Sequence, residues 1–336
     1  MKRVIKLVLK CLVVVVAAAV VAGIVYERWG QRQDRKRFSQ IGQSVDIGGR
    51  TLNLYCSGEG SPTVILEGGY SWVTVQPEIA KLTRACWYDR AGLGWSDPGP
   101  YPRTSEAIAG DLHELLRVAA IRPPYVLVGA SFGGFPVRVF AGKYKNDVAG
   151  VVLVDASHED QHEPPSMQAS VSRLPLTVRS ALCALLPTMG QIGLVRLMSN
   201  SPAHRETPAG MSGEQATYFY FLSDLPRASV TSGNESCNWE TSANEARTAG
   251  GLGDRPLIVL TAGKAFIPEE PAAAKEAAAF HQVWVNELQP KLVRLSTRGR
   301  QVIVENSGHG IQFEAPDAVI EAIREIVAEI RTGQRK

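Results

Sequence analysis

Two short stretches of this chain carry residue types that could do chemistry together. One is Gly129-Ala130-Ser131-Phe132-Gly133, a serine framed by glycines directly after the apolar run Tyr125-Val126-Leu127-Val128. The other is Glu305-Asn306-Ser307-Gly308-His309-Gly310, a histidine framed by glycines near the end of the chain. A serine hydroxyl is a poor nucleophile until a base takes its proton, and that base must itself be oriented by a third group. The glycines around Ser131 suit a sharp strand-to-helix turn, where a Cβ would collide with neighbouring backbone. Five other histidines compete for the role of base: His113 and His281 fall in predicted helices, His158 and His162 follow a strand, and His204 lies in a long insertion. Only His309 sits in a glycine-flanked loop leaving the last predicted strand. In open α/β sheets such strand ends are where sites form.

The elements that must position these groups follow from hydrophobic patterning. Residues 44–47 and 51–56 read as a hairpin across Gly48-Gly49. Short apolar runs at 63–66, 86–88, 125–128, 151–154, 257–261 and 302–305 read as buried parallel strands. Helices are expected at 105–119, with Ser105 as N-cap, at 132–144, with Pro136 tolerable in the first turn, and at 316–330. Alternation of this kind predicts a doubly wound sheet. The rhythm stops between residues 158 and 254, a length too great for a loop, and Leu-rich pieces with the aromatic run Tyr218 to Phe221 predict a helical cap there. The expected organisation is an N-terminal segment 1–37, a core made of 38–157 and 255–336, and the cap 158–254.

The overall charge of +3 is unevenly spread. The first 38 residues hold nine Lys or Arg and two acids, so the remainder carries −4. A body of that sign, with no basic stripe, excludes a nucleic-acid footprint. The N-terminus is a separate object: Lys2, Arg3, Lys6 and Lys10 precede an uncharged run from Cys11 to Tyr26, and a stretch counted from Val4 is long enough to span a bilayer. An uncleaved transmembrane anchor is expected, with a cleaved signal peptide at Val20-Val21-Ala22 as the alternative. A basic linker with Arg28, Arg32, Arg35, Lys36 and Arg37 follows, and with both flanks basic the positive-inside rule fixes no orientation.

Besides Cys11 there are Cys56, Cys86, Cys183 and Cys237, none with the spacing of a zinc site, and no metal or cofactor is expected. Buried thiols are the ordinary reading. If the strands carrying Cys56 and Cys86 are antiparallel neighbours, those two side chains can meet, and a disulfide there places the body outside the cytoplasm.

With these residues in place the chain resembles the α/β-hydrolases of the capped, esterase- and peptidase-like branch. Four stretches carry the resemblance: Leu66-Glu67-Gly68-Gly69-Tyr70, the run Tyr88-Asp89-Arg90-Ala91-Gly92-Leu93-Gly94-Trp95-Ser96, the turn at Gly129 to Gly134, and Ser307-Gly308-His309. The resemblance implies an α/β-hydrolase fold: a mostly parallel eight-stranded sheet with the cap after strand 6 and, here, a transmembrane helix in front. It also implies that the second and fourth strands are antiparallel neighbours, which favours a Cys56–Cys86 disulfide.

Carried over by position, Ser131 is the nucleophile, His309 the general base, and the backbone N–H of Phe132 one oxyanion donor. The second donor is Tyr70, with Gly69 behind it, because Gly68-Gly69 stands where relatives have His-Gly; only backbone is needed. Ala130 replaces the usual histidine before the serine. The acid departs from the commonest pattern: the stretch after the seventh strand, Thr261 to Phe266, holds no carboxylate. Asp155, at the end of the sixth strand, is the choice, with Glu269 as the alternative. Asp89 and Arg90 are read as a pair bracing their turn. The expected reaction is hydrolysis of an ester or related acyl bond of a small molecule by a membrane-anchored, extracytoplasmic enzyme. The rival readings are a tethered binding protein without turnover and an acyltransferase or cofactor-free peroxidase using the same serine.

Overall fold

A computed structural model of the protein describes residues 1–162, 164, 175–198 and 205–333. His204 lies outside the described residues. The chain opens with a single long helix, α1 (Lys2–Arg37), whose apolar half projects away from the body. Eight strands then build one sheet: β1 (Gln43–Asp46), β2 (Thr51–Ser57), β3 (Thr63–Glu67), β4 (Ala85–Tyr88), β5 (Tyr125–Ala130), β6 (Val148–Val154), β7 (Leu257–Ala262) and β8 (Gly299–Val304). Their spatial order is β1-β2-β4-β3-β5-β6-β7-β8. Only β2 runs against its neighbours, and all pairings from β4 to β8 are parallel. This is the α/β-hydrolase fold.

Successive residues of a strand face opposite sides, so a strand buried on both faces must be apolar throughout. That is what β3, β5 and β6 show. Ile65, Leu127 and Leu153 join a core with α3 (Ser105–Val118) and α4 (Gly134–Lys143), while Val64, Val126 and Val152 join a second core. The second core is closed by α2 (Gln76–Ala80) and by α13 (Pro316–Gly333), which contributes Val319, Ile320, Ile323 and Ile326.

The insertion between β6 and β7 contains α5 (Leu176–Gln191), α6 (Leu194–Met198), α7 (Gly213–Ser223), α8 (Pro226–Cys237) and α9 (Trp239–Thr248). Beyond β7 come α10 (Pro271–Val283), a single π-helical turn over Trp284–Leu288, α11 (Gln289–Val293) and, after β8, the short α12 (Ile311–Glu314).

Several boundaries differ from the patterning. Strand β8 spans 299–304, not 302–305, because it is an edge strand with partly exposed residues and lacks a continuous apolar signal. The N-cap of α3 is Thr104, whose hydroxyl accepts from the Ala107 amide at 3.4 Å, and Ser105 is the buried first helical residue, its own amide donating to Ser242 Oγ. Cys56 and Cys86 face each other in the β2–β4 register and are joined by a disulfide. A second disulfide, Cys183–Cys237, ties α5 to α8; nothing in the spacing of these two cysteines signals it.

Candidate active site

Ser131 sits where β5 turns into a 3-10 turn, Ser131–Gly133, that leads directly into α4. Close approach explains the glycines. A Cβ on Gly129 would lie 2.5 Å from the Gly133 carbonyl oxygen, and one on Gly134 would lie 2.5 Å from the Ala156 Cβ. Ser131 itself is held at φ 51°, a left-handed conformation that costs a non-glycine residue about 1–3 kcal/mol and persists only where surrounding structure enforces it. Part of that enforcement is the Ser157 amide, which donates to the Ser131 carbonyl at 2.9 Å.

Asp155, one residue past β6, is the other non-glycine residue near the site with positive φ, at 41°. Its amide donates to the Leu260 carbonyl, which pins the turn to β7. The left-handed turn aims the carboxylate across the end of β7. There Oδ1 accepts from the Ala262 amide at 2.9 Å and from the indole Nε1–H of Trp284 at 2.8 Å. Oδ2 is 2.7 Å from His309 Nδ1, and His309 Nε2 is 2.9 Å from Ser131 Oγ. Asp155 is buried while the His309 side chain is 61% exposed, so the chain of hydrogen bonds runs from the protein interior to an accessible hydroxyl.

The His309 loop is fixed at both ends: the Gly308 amide donates to Glu314 on α12, and the Ser307 carbonyl accepts from the Lys264 amide. Glu269 is exposed and does not line the cavity described below; its neighbour Glu270 caps α10, accepting from Ala272 and Ala273.

Phe132 lies in the first positions of its 3-10 turn, and Gly69 and Tyr70 open another over Gly69–Trp72. Amides at the start of a helix have no intrahelical acceptor, so these N–H groups are of the kind an anion can use. Gly68 and Gly69 have φ of 110° and 68°, conformations that favour glycine, and they let the chain reverse at the end of β3. The Tyr70 ring points away into the core, edge-on to Tyr218 at 4.7 Å.

Asp89 and Arg90 do not brace their turn as a pair. Asp89 alone does so, accepting from the Trp95 amide and the Asn53 side chain, both at 2.9 Å. Arg90 turns the other way. Its guanidinium pairs at 3.4 Å with Glu67 at the end of β3 and at 3.4 Å with Glu235 on α8, and lies 5.2 Å from the Phe132 ring centroid. Burial lifts both glutamates above the usual carboxylate range, and Arg90 opposes that shift. The sequence motif could not show this division, because Glu235 comes from the insertion.

A cavity of about 410 Å³ opens at Ser131, His309 and Asp155. Its walls are largely aromatic: Trp239 from α9, Phe266 from the loop after β7, and Phe280 and Trp284 from α10 and its π-helical continuation. Lys264 and His281 supply polar edges, and His281 Nε2 is 2.9 Å from the Ala262 carbonyl. No cluster of three or more metal-ligating side chains occurs among the described residues.

A hydrogen-bonded serine, histidine and aspartate at the carboxyl ends of β5, β8 and β6 in a mostly parallel eight-stranded sheet is the arrangement of an α/β-hydrolase. Residues 58–322 match the alpha/beta hydrolase family, and the chain belongs to it. It is similar to an AB hydrolase superfamily protein of Gibberella zeae, 27% identical over 298 residues, covering 80% of this chain and 87% of the relative. Among solved structures, a thermophilic esterase from Thermogutta terrifontis is 19% identical, with 86% and 98% of the two chains covered and a TM-score of 0.57. A meta-cleavage product hydrolase from Pseudomonas fluorescens is 17% identical, with 86% and 98% covered and a TM-score of 0.58. Epoxide hydrolases share the fold as well. The protein is a hydrolase by family, and these neighbours span several hydrolytic chemistries.

Proposed function

We propose that the protein hydrolyses a carboxylic ester or closely related acyl compound through an acyl-enzyme on Ser131. The observation that carries this reading is the pair of hydrogen bonds at 2.9 Å and 2.7 Å linking Ser131, His309 and Asp155. His309 Nε2 takes the hydroxyl proton as Oγ bonds to the substrate carbonyl carbon. The oxyanion is met by the amide of Phe132 and that of Tyr70 or Gly69. Collapse expels the alcohol or amine, protonated by His309. Water then attacks the acyl carbon with His309 again as base, releasing the acid and restoring Ser131. Asp155 holds the ring and stabilises its cationic form. The aromatic walls suit an apolar acyl or leaving group, and the helical insertion serves as the cap.

We read α1 as a membrane anchor. Its 36 residues form one helix that is long and apolar enough to cross a bilayer. The two disulfides favour an extracytoplasmic body. Cell fractionation with N-terminal sequencing tests this reading: a processed, soluble chain overturns it.

The catalytic assignment is tested with a fluorophosphonate probe and an ester panel. Wild type should label and turn over, and Ser131→Ala should do neither. Asp155→Asn should lower kcat by about 10³–10⁴-fold with Glu269→Gln unaffected. A folded wild type that resists the probe refutes the acyl-enzyme, and the reverse ranking of the two acid variants moves the role to Glu269.

A further inference from the structure

The C-terminal part of α1 does not stand free of the body. Gly23 packs so closely on the α5–α6 junction that a Cβ there would overlap the Ile192 carbonyl, and Gly193 lies against Gly23 and the Tyr26 ring. One turn further on, Arg196 of α6 pairs with Glu27 at 2.8 Å and with Asp34 at 2.8 Å, and its guanidinium covers Gly30. Glu27 is buried by this contact. The juxtamembrane helix and the first two insertion helices are therefore clamped together by close backbone approach and a three-residue ion cluster.

The clamp fixes a height. A bilayer core about 30 Å thick needs about 20 apolar residues of helix, and the apolar stretch of α1 ends at Tyr26. Gly23 lies within one turn of that end, so the α5–α6 junction sits at the level of the membrane surface. The residues at that level fit: Tyr26 and Trp29 are exposed, as are Arg28 and Arg32, matching the aromatic and basic composition of the interface. Both α5 and α6 leave large apolar side chains uncovered among a few exposed Thr and Ser. Val178, Leu182 and Leu185 recur at helical spacing on α5, and Leu197 and Met198 follow on α6, all exposed, Leu197 at 71%.

We propose that the α5–α6 face of the cap lies in the headgroup–acyl boundary of the bilayer that α1 crosses, so that the enzyme is seated on the membrane by its cap as well as tethered to it. This rests on the reading of α1 as an uncleaved anchor. The bilayer is the occupant because the exposed apolar residues belong to the helices that the Gly23–Ile192 approach and the Arg196–Glu27–Asp34 cluster hold against the anchor's own interfacial turn. The seat also reaches the site: the Cys183–Cys237 disulfide joins α5 to the end of α8, and two residues later Trp239 enters the cavity wall.

The test uses the full chain in phosphatidylcholine vesicles, with Cys11→Ser as background and one added cysteine carrying an environment-sensitive fluorophore at Val13, Leu185 or Leu197. The disulfides stay oxidised, and fluorophosphonate labelling of each variant checks folding. Lipid bearing a shallow nitroxide quencher should reduce emission from Leu185→Cys and Leu197→Cys at least twofold, and a deep quencher should do so for Val13→Cys. Quenching at 13 without quenching at 185 and 197 overturns the proposal and leaves the anchor standing. No quenching at 13 overturns the anchor reading and this proposal with it. Blue-shifted, concentration-dependent emission at 185 without quenching assigns the face to a second copy and also overturns it.

Discussion

Trp284→Phe isolates one bond behind the proposed mechanism. The indole N–H supplies one of two donors to Asp155 Oδ1, at 2.8 Å, and the Ala262 amide supplies the other at 2.9 Å. Phenylalanine keeps an aromatic ring at the cavity wall while removing the donor, together with the volume of the second ring. Asp155 is 3% exposed, so bulk water does not replace the lost bond. A hydrogen bond to a charged group contributes about 1.5–3 kcal/mol. If the carboxylate needs that bond to stay aligned on His309 as the ring becomes cationic, all of it is felt in the transition state. The expected loss in kcat is then about 10- to 150-fold. Because Trp284 also lines the cavity, lost packing is read in KM, and the lost donor, which acts on transition-state charge, is read in kcat. Steady-state hydrolysis of a chromogenic ester, with the melting temperature as a fold control, reads both quantities. A folded Trp284→Phe enzyme with wild-type kcat refutes the reasoning, and a change confined to KM reassigns Trp284 to substrate binding.

Asp89 gives a pH signature. Burial pushes its carboxyl up to about 6, against the opposing help of the Trp95 amide, Asn53 and Arg227. Because the folded value exceeds the ordinary 3.8, the folded protein holds this proton more tightly, and the group's stabilising contribution is lost as pH rises from about 4 through 6. Replacing Asp89 by Asn removes that titration, so the stability difference between wild type and Asp89→Asn should move in favour of Asn by up to about 3 kcal/mol between pH 4 and pH 7. Denaturant titrations at the two pH values measure it, and a pH-independent difference is the contrary result. Gly129→Ala should destabilise by about 1–3 kcal/mol and slow probe labelling, because its Cβ meets Gly133 backbone at 2.5 Å. Gly110→Ala on α3, where a Cβ meets nothing within 4 Å, should be neutral or gain up to about 1 kcal/mol, and equal thermal shifts for the two variants would contradict the packing argument.

What could be read from the sequence was whatever a local rule enforces. Ser131 stands out because its tight turn demands glycine around it, His309 because it is the histidine in the loop leaving the last strand, and β3, β5 and β6 because burial on both faces demands continuous apolar residues. Asp155 could be placed at a strand end but not aimed, since its direction depends on φ 41° and on contacts with β7. Trp284 carries no local mark: it reaches Asp155 through a π-helical turn on the far side of β7. The partnership of Arg90 with Glu235 was equally hidden, because α8 is a mostly polar helix whose docking depends on the whole insertion. The edge strand β8 blurred for a different reason, its partial exposure diluting the pattern.

With Asp155 in the role proposed, proton transfer draws on nothing in the loop after β7. Residues 263–270 are then free of the chemistry while Lys264 and Phe266 still face the cavity. Substitution of the cavity-facing Lys264 and Phe266 side chains can change which substrate is accepted without disturbing how it is cleaved, whereas Gly263 must stay, since a Cβ there would lie 2.5 Å from Glu305 Cα at the base of the His309 loop. In a fold whose members commonly keep the acid in that loop, this chain separates the two, and the segment becomes the natural place to diversify in a library aimed at new substrates.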